Sequence, residues 1–162
     1  MEAPFYQTYL SKIREGSVIE NLMGSGDLFS DLVKEIPEEN GLHKYQEDKW
    51  TIKELIQHLI DAERVFCYRA LCFARNDKTE LPGFDEQLYT PESFANERKL
   101  TSLINEFHIL RASSIDLFGS FNNEVMRRTG IASNLTWSVE TLGYVISGHC
   151  LHHADILKER YL

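Results

Sequence analysis

Apolar residues recur at three- and four-residue steps through four long stretches, and this periodicity is the feature that most constrains the fold. In the second stretch, Leu55, Leu59, Ala62 and Phe66 share one face of the expected helix. Helices are expected over residues 17–36, 52–75, from 91 or 93 to 119, and 138–161. No segment shows the alternation typical of a strand, so we predict none. We therefore predict an all-α four-helix bundle, formed as a single domain over residues 1–162.

Local signals mark the ends of these helices. Pro37 ends the first helix, and Thr51 with Glu54 has the spacing of a capping box at the start of the second. Two shorter elements are also expected. They are an N-terminal strap over residues 1–15, packed on the rest, and a turn or short helix over residues 121–129.

Composition excludes several classes of function. The formal net charge is −8, with 25 acidic residues against 17 Lys and Arg, and the absence of a basic cluster argues against nucleic-acid binding. The apolar runs are too short to span a membrane, and the N-terminus lacks the apolar core of a signal peptide, so we expect a cytoplasmic protein. Cys67, Cys72 and Cys150 contain no CxxC pair, which predicts reduced, buried thiols.

Three of the six histidines lie within five residues of the last predicted helix, at His149, His152 and His153. His149 and His153 are four residues apart, so they share one face of the helix at a spacing that suits metal ligands. At about 100° per residue, His153 falls in the middle of the apolar face, whereas His152 falls near its edge. We expect His149 and His153 to point into the bundle and His152 to flank the site or contact solvent.

Two inward imidazoles in a dry core each need a hydrogen-bond partner or a metal ion. We predict a metal site with His58, from the second helix, as the third ligand. The alternative is a hydrogen-bonded polar core without a metal. His43 and His108 have no second ligand nearby in sequence, and we interpret them as packed or surface residues.

Asp61 lies three residues after His58 and has two open roles. It can orient that imidazole or a water molecule as a hydrogen-bond acceptor, or it can pair with Arg64 at the helix surface.

Arg69 lies within the apolar stripe of the second helix, where a long cation needs a partner or a pocket. It can bind an anionic group of a substrate. We favour a structural role, in an ion pair with Asp85 or Glu106 in the core. Trp50 and Phe84 are candidates for the lining of a pocket, although aromatic residues at such positions are more often part of the core.

Three segments then carry a resemblance to a known family: KWTIKELIQHLIDAERVFCYRALCFARND, LPGFDEQLY and SGHCLHHADILKERYL. They contain the compound pattern W-x7-H-x2-D-x-E-R, followed at a distance by G-H-x3-H. This pattern resembles that of the DinB-like superfamily and, within it, the YfiT-type metal-dependent hydrolases. The resemblance implies a four-helix bundle of the up-down-down-up type. It also implies a divalent metal ion held by His58, His149 and His153.

The same resemblance implies a function. The superfamily includes thiol-dependent transferases and isomerases that use bacillithiol or mycothiol. We expect a metal-dependent enzyme of the thiol S-transferase or hydrolase type, acting on a small-molecule substrate with a low-molecular-weight thiol as co-substrate in the first case. Zinc and nickel are the expected metals because both suit imidazole ligands. A homodimer is also expected. The alternative is a non-catalytic protein of a stress response that binds a metal or a small ligand.

Overall fold

The computed structural model describes residues 6–162, and four long helices form the body of the chain. They are α2 (Val18–Val33), α3 (Ile52–Ala74), α5 (Leu100–Gly119) and α7 (Val139–Ile156), which continues as a π-helical turn over Leu157–Tyr161. The shorter helices are α1 (Gln7–Leu10), α4 (Glu86–Glu92) and α6 (Asn123–Met126), with 3-10 turns over Glu38–Leu42 and Ala95–Glu97. The predicted all-α four-helix bundle is confirmed. Residues 1–5 of the predicted N-terminal strap lie outside the described residues.

Three of the long helices begin at side chains that cap their first turn. Thr51 and Glu54 form the predicted capping box at the start of α3, and Ser17 and Glu20 form another at the start of α2. The hydroxyl of Ser138 accepts a hydrogen bond from a backbone N–H in the first turn of α7. These caps fix where each helix starts, because they satisfy N–H groups that have no partner within the helix.

Contacts between α3 and α5 show that these neighbouring helices run in the same direction. Arg98, just ahead of α5, donates a hydrogen bond to Gln57 near the start of α3 at 2.8 Å. Further along both helices, the thiol of Cys67 contacts the hydroxyl of Ser114 at 3.2 Å.

The helices α2 and α7 are also parallel to each other. Val18 lies against Gly143 near their starts, and the thiol of Cys150 contacts the carbonyl oxygen of Ser25 further along. The end of α5 lies beside Ile19 at the start of α2, so the second pair runs opposite to the first. This is the up-down-down-up order that the family resemblance implied.

Because α3 and α5 are parallel, the segment between them must return along the length of the bundle. This segment, residues 75–99, is called the crossover segment below. It leaves the C-terminal end of α3 and reaches the N-terminal end, where Asn96 accepts a hydrogen bond from the Thr51 hydroxyl at 2.6 Å. It therefore covers one face of α3 with a stretch of chain that includes α4.

The predicted start of the third long helix, at residue 91 or 93, is wrong, since α5 begins at Leu100. Phe94 has a φ of 51°, in the left-handed region that a right-handed helix cannot include. The first N–H group of α5 is capped from a distance, because both carboxylate oxygens of Glu38 lie 2.9 Å from the backbone nitrogen of Leu100. The true start of α5 thus depends on a residue that is remote in sequence.

The prediction that the chain contains no strand is also wrong. Strands β1 (Thr129–Ala132) and β2 (Leu135–Ser138) form an antiparallel hairpin. Ser133 and Asn134 make its two-residue turn, with φ values of 53° and 61°, as a type I′ turn requires. Four residues per strand are too few for alternation to stand out in the sequence. The hairpin also holds the crossover segment, because the Leu81 N–H donates to the Ile131 carbonyl oxygen at 3.0 Å.

Apolar side chains form two buried clusters along the bundle. One contains Phe73 and Trp137, beside the hairpin, and the other contains Phe29 and Phe107. Within residues 6–162, none of the helices is both long enough and apolar enough to cross a membrane.

A buried ion pair joins three of the long helices. Arg111 of α5 donates two hydrogen bonds to the carboxylate of Glu63 on α3, at 2.9 and 2.8 Å. Its Nη1 atom donates to the Leu22 carbonyl oxygen and the Ser25 hydroxyl of α2, at 2.8 and 2.9 Å. Burial by itself lowers the pKa of Arg111, but the charge of Glu63 and the hydrogen bonds raise it above the ordinary value. The pair therefore fixes how α2, α3 and α5 pack together.

Replacement of Arg111 by methionine should lower the free energy of unfolding by about 3–5 kcal/mol, because Glu63 would become an unpaired buried charge. The double variant Glu63→Leu/Arg111→Met should recover most of this loss. Urea unfolding followed by circular dichroism measures both effects. The matched control is Arg64→Met, which removes a partly exposed pair with Glu106 and should change stability by at most about 1 kcal/mol. Equal losses in the two single variants would contradict the role given to Arg111.

Candidate metal centre

Three imidazoles from two helices converge on one point. His58 lies on α3, and His149 and His153 lie one turn apart on α7. The Nε2 atoms of His58 and His149 are 3.0 Å apart. One ring nitrogen from each of the three side chains lies within 4.8 Å of the other two. Over residues 6–162, this is the one group of three or more His, Cys, Asp or Glu side chains that is close enough to hold a metal ion.

The packing of α3 against α7 explains why these imidazoles meet. The two helices are antiparallel, so the start of α3 lies beside the end of α7, and all three rings are buried there. Trp50, just ahead of α3, packs against the ring of His58 with a centroid distance of 4.7 Å. The rings are therefore held by aromatic packing as well as by their helices.

Helix α1 closes the site from another side. The ring of Tyr9 lies 5.0 Å from that of His149 and 5.4 Å from that of His152. Gly148 permits this approach, because a Cβ atom at that position would overlap the carbonyl group of Tyr9. The G-H pair of the sequence pattern thus combines a ligand candidate with the space for α1 to pack.

Burial keeps the three imidazoles neutral. It lowers the pKa of His58 to about 4. The pKa values of His149 and His153 are lowered well below the ordinary value, first by burial and then by the neighbouring imidazoles. Neutral imidazole is the form that binds metals, so the site presents three lone-pair donors at neutral pH.

The donor set fits a divalent metal ion. Two nitrogens bound to one ion with bonds of about 2.0–2.1 Å lie about 3 Å apart, as the Nε2 atoms of His58 and His149 do. The Nδ1 atom of His153 is buried and has no hydrogen-bond partner among the described residues. A purely hydrogen-bonded polar core would leave this atom unsatisfied, which is costly. The set contains imidazoles alone, a combination that suits zinc or nickel.

A cavity of about 560 Å³, called the site cavity below, opens beside the imidazoles. This volume is in the range of sites that bind small organic molecules. Besides the histidines, its wall includes Tyr9 from α1 and Trp50 from just ahead of α3. Phe84, Glu86 and Gln87 come from the crossover segment, and Ser133 comes from the hairpin turn. Both aromatic residues that the sequence suggested for a pocket, Trp50 and Phe84, are therefore in this wall.

Four residues of this wall with polar side chains were not predicted from the sequence. Glu86 and Gln87 lie in the segment LPGFDEQLY, whose match to the family pattern was a usable signal. Ser133 forms a turn with Asn134, but Ser-Asn lacks the glycine that marks most two-residue turns in a sequence. Tyr9 carries no signal in the sequence, because only the folded chain brings α1 to the end of α7.

Arg69 lies in the wall of the site cavity and is 3% exposed. The expected ion pair with Asp85 or Glu106 does not form. Its Nη2 atom donates instead to the Pro82 carbonyl oxygen and the Ser133 hydroxyl, at 3.0 and 2.9 Å. The carboxylate of Glu106 is used by arginines nearer to the surface.

Asp61 is not brought to the three imidazoles. Its carboxylate accepts a hydrogen bond from Gln57 at 2.8 Å and lies 3.9 Å from Arg64. Burial raises the pKa of Asp61, an effect partly offset by the bond from Gln57 and the charge of Arg64. These contacts match the surface role that we considered for it, and Asp61 does not line the site cavity.

The other histidines lie where the sequence indicated. His152 is half-buried and flanks the site, with its ring 5.2 Å from that of His153. His43 packs near Tyr161, and His108 lies on the exposed side of α5 beside Ser30.

Two of the three cysteines are poor nucleophiles. Burial raises the pKa of both Cys67 and Cys150 to about 11, so each thiol stays protonated at neutral pH. Cys150 follows His149 directly, but its sulfur contacts the Ser25 carbonyl oxygen of α2, and the residue does not line the site cavity.

The chain belongs to the DinB superfamily, because the model of that family matches residues 22–157. This match extends from α2 to the end of α7 and includes all three histidines of the site.

Two solved structures share the fold. YfiT from Bacillus subtilis, described as a probable metal-dependent hydrolase with an unusual four-helix bundle topology, has a TM-score of 0.76. It is 16% identical, over 91% of this chain and 90% of its own. The mycothiol-dependent maleylpyruvate isomerase has a TM-score of 0.74 and 13% identity, and the match spans 90% of this chain but 61% of the isomerase chain. At these identities the similarity establishes the fold alone. A comparison with curated proteins gave no match.

The metal-free protein should lose stability as the pH falls from about 6.5 to about 4, the interval between the ordinary pKa and that of buried His58. Each histidine with a lowered folded-state pKa binds protons better in the unfolded chain, so acid favours unfolding. Protonation linked to His58 alone should lower the free energy of unfolding by on the order of 3 kcal/mol over this interval. Urea unfolding of chelator-treated protein at several pH values measures the loss. His58→Gln should reduce the pH dependence, whereas the exposed control His108→Gln should leave it unchanged.

Proposed function

We propose that the chain binds one divalent metal ion through His58, His149 and His153, and that it is a metal-dependent enzyme acting on a small molecule. The supporting observation is the convergence of three buried, neutral imidazoles at the wall of the site cavity. Two features agree with it: the unsatisfied Nδ1 atom of His153, and the similarity to YfiT, which is itself described as a probable metal-dependent enzyme. Zinc and nickel are the proposed metals.

Such an ion would acidify a bound water molecule or thiol and polarise a carbonyl group of a substrate. The residues of the chain would supply the conditions for this chemistry. Three neutral ligands leave the positive charge of the site undiminished. Trp50 and Phe66 line the site cavity beside the imidazoles, and their apolar surfaces exclude water, which strengthens electrostatic interactions there.

Thiol S-transfer is the first of the two candidate reactions, because a second cavity shares three wall residues with the site cavity. It has a volume of about 230 Å³, and Trp50, Gln87 and His153 line both cavities. A transferase must hold two small molecules at one reacting centre, and two adjoining cavities offer that room. The nucleophile would be a low-molecular-weight thiol, since none of the three cysteines lines the site cavity and burial keeps Cys67 and Cys150 protonated.

Hydrolysis is the second candidate reaction. Glu86 is a carboxylate in the wall of the site cavity, where it can act as a general base toward water. The similarity to YfiT, described as a probable hydrolase, also favours this reaction. A homodimer and the absence of nucleic-acid and membrane partners stay predictions from the sequence.

Protein purified without a histidine tag should contain about one divalent ion per chain by elemental analysis. His58→Ala, His149→Ala and His153→Ala should each reduce this content to about a tenth or less, because two imidazoles hold an ion weakly. His152→Ala is the matched control, since His152 precedes His153 on the same helix, and it should retain the ion. Retention of the ion by all three ligand variants would contradict the proposed site.

The metal-loaded protein should transfer a low-molecular-weight thiol such as cysteine or bacillithiol to monochlorobimane, with saturation in both substrates. His153→Ala should reduce the rate by about 100-fold or more without unfolding the chain, and His152→Ala should not. Circular dichroism checks the fold of each variant. Thiol-independent cleavage of 4-nitrophenyl acetate would assign hydrolysis instead. A stoichiometric ion without either activity would favour a non-catalytic binding protein.

A further inference from the structure

The site cavity contains a buried cation that has no acidic partner. Arg69 is 3% exposed, and no carboxylate within residues 6–162 lies at ion-pair distance from its guanidinium. Buried arginines are ordinarily paired, as Arg111 is with Glu63. Arg69 therefore has the burial of a structural cation without the anion that would stabilise it.

The hydrogen bonds of Arg69 leave donors available. A guanidinium group has five N–H donors, and the described bonds of Arg69 use its Nη2 atom, toward Pro82 and Ser133. The Nε and Nη1 atoms have no partner among the described residues, and neither is enclosed by protein in the way the Nδ1 atom of His153 is. Because Arg69 lines the site cavity, these donors are accessible from it.

Ser133 adds a further donor at the same place. Its hydroxyl oxygen accepts the hydrogen bond from Arg69, so its own hydrogen is free to point elsewhere, and Ser133 also lines the site cavity. The left-handed backbone of Ser133, with a φ of 53°, costs energy for a residue other than glycine. The hairpin thus holds this hydroxyl at the cavity in a conformation that the residue would not adopt by itself.

Two aromatic rings hold the guanidinium group in place. Its Cζ atom lies 5.8 Å from the ring centroid of Phe66 and 5.9 Å from that of Phe84. The ring of Phe66 also lies 6.2 Å from that of His149. One aromatic side chain therefore separates the cation from the three imidazoles, and a single small molecule in the site cavity can reach both.

We infer that Arg69 and Ser133 form a carboxylate-binding subsite, so that the substrate or thiol in the site cavity carries a carboxylate group remote from its reacting end. The inference rests on the proposed function in one respect, the identity of the reacting end of the ligand. The carboxylate end is inferred from Arg69 and Ser133, independently of that function. The planar fork of arginine matches a carboxylate, and the Ser133 hydroxyl supplies an additional hydrogen bond. Glu86, the acidic residue of the same wall, disfavours ligands that carry additional negative charge. For this reason we choose a carboxylate over a phosphate monoester.

The test measures binding by calorimetry to the metal-loaded protein with matched probes. The probes are 6-mercaptohexanoate, its neutral amide 6-mercaptohexanamide, heptanoate, in which a methyl group replaces the thiol, and 5-mercaptopentyl phosphate. The carboxylate should bind about 10- to 100-fold more tightly than the amide, as expected for charge-assisted hydrogen bonds. The ratio of the affinities for 6-mercaptohexanoate and heptanoate reports the contribution of the metal site. The ratio of the affinities for 6-mercaptohexanoate and 6-mercaptohexanamide reports the contribution of Arg69. A failure of the proposed metal site would change the first ratio alone, and a failure of the proposed carboxylate subsite would change the second ratio alone.

Arg69→Met should remove the preference for the carboxylate and leave the affinity for the amide unchanged. Arg75→Met is the matched control, because Arg75 directly follows the same helix, also lies over an aromatic ring, 6.0 Å from Phe121, and is exposed away from the site cavity. It should leave both affinities unchanged. Ser133→Ala should weaken carboxylate binding by about 5-fold, and it serves as the second variant if Arg69→Met does not fold.

Three results would overturn the inference. The first is equal affinity of the wild-type protein for the carboxylate and the amide. The second is a carboxylate preference that persists in Arg69→Met, since the carboxylate would then bind the metal itself. The third is tighter, Arg69-dependent binding of the phosphate probe, which would assign a phosphate subsite instead.

Discussion

The parallel packing of α3 against α5 is the constraint on which the rest of the structure depends. The buried pair of Glu63 and Arg111 stabilises this arrangement, and Arg111 extends it to α2 through two further hydrogen bonds. Parallel neighbours cannot be joined by a short turn, so the chain must travel back along α3 before α5 begins. That return path is the crossover segment, which supplies Phe84, Glu86 and Gln87 to the site cavity. A helix order chosen for packing thus also creates one wall of the candidate site.

The wall of the site cavity does not share the negative charge of the protein as a whole. The chain has a formal net charge of −8, yet in this wall the cation of Arg69 balances the carboxylate of Glu86, and the three imidazoles are neutral. A divalent ion would add two positive charges to this wall. Charges in a recess with apolar walls act more strongly than charges at an open surface, because less water screens them. The site is therefore suited to a small anionic molecule even though most of the surface repels one.

The same features reduce the stability of the fold. Three buried imidazoles are unfavourable in the interior, and so are two groups without a partner among residues 6–162, the Nδ1 atom of His153 and the cation of Arg69, which has no acidic partner there. Ser133 adds a left-handed backbone at the hairpin turn. Two apolar clusters and the buried pair of Arg111 with Glu63 offset these costs elsewhere in the bundle. Unfavourable groups that collect at one cavity, while the rest of the core follows ordinary rules, are expected at a functional site.

The sequence by itself determined the features that depend on local periodicity. Apolar spacing gave the four long helices, and the wheel of the last helix distinguished His149 and His153 from His152. The sequence by itself did not determine the start of α5, the hairpin or the partners of Arg69. The tertiary structure decided these, because each depends on a contact between distant segments: Glu38 with Leu100, Leu81 with Ile131, and Ser133 with Arg69. Local periodicity records which face of a helix is buried, but only the packed bundle decides which remote side chain lies against it.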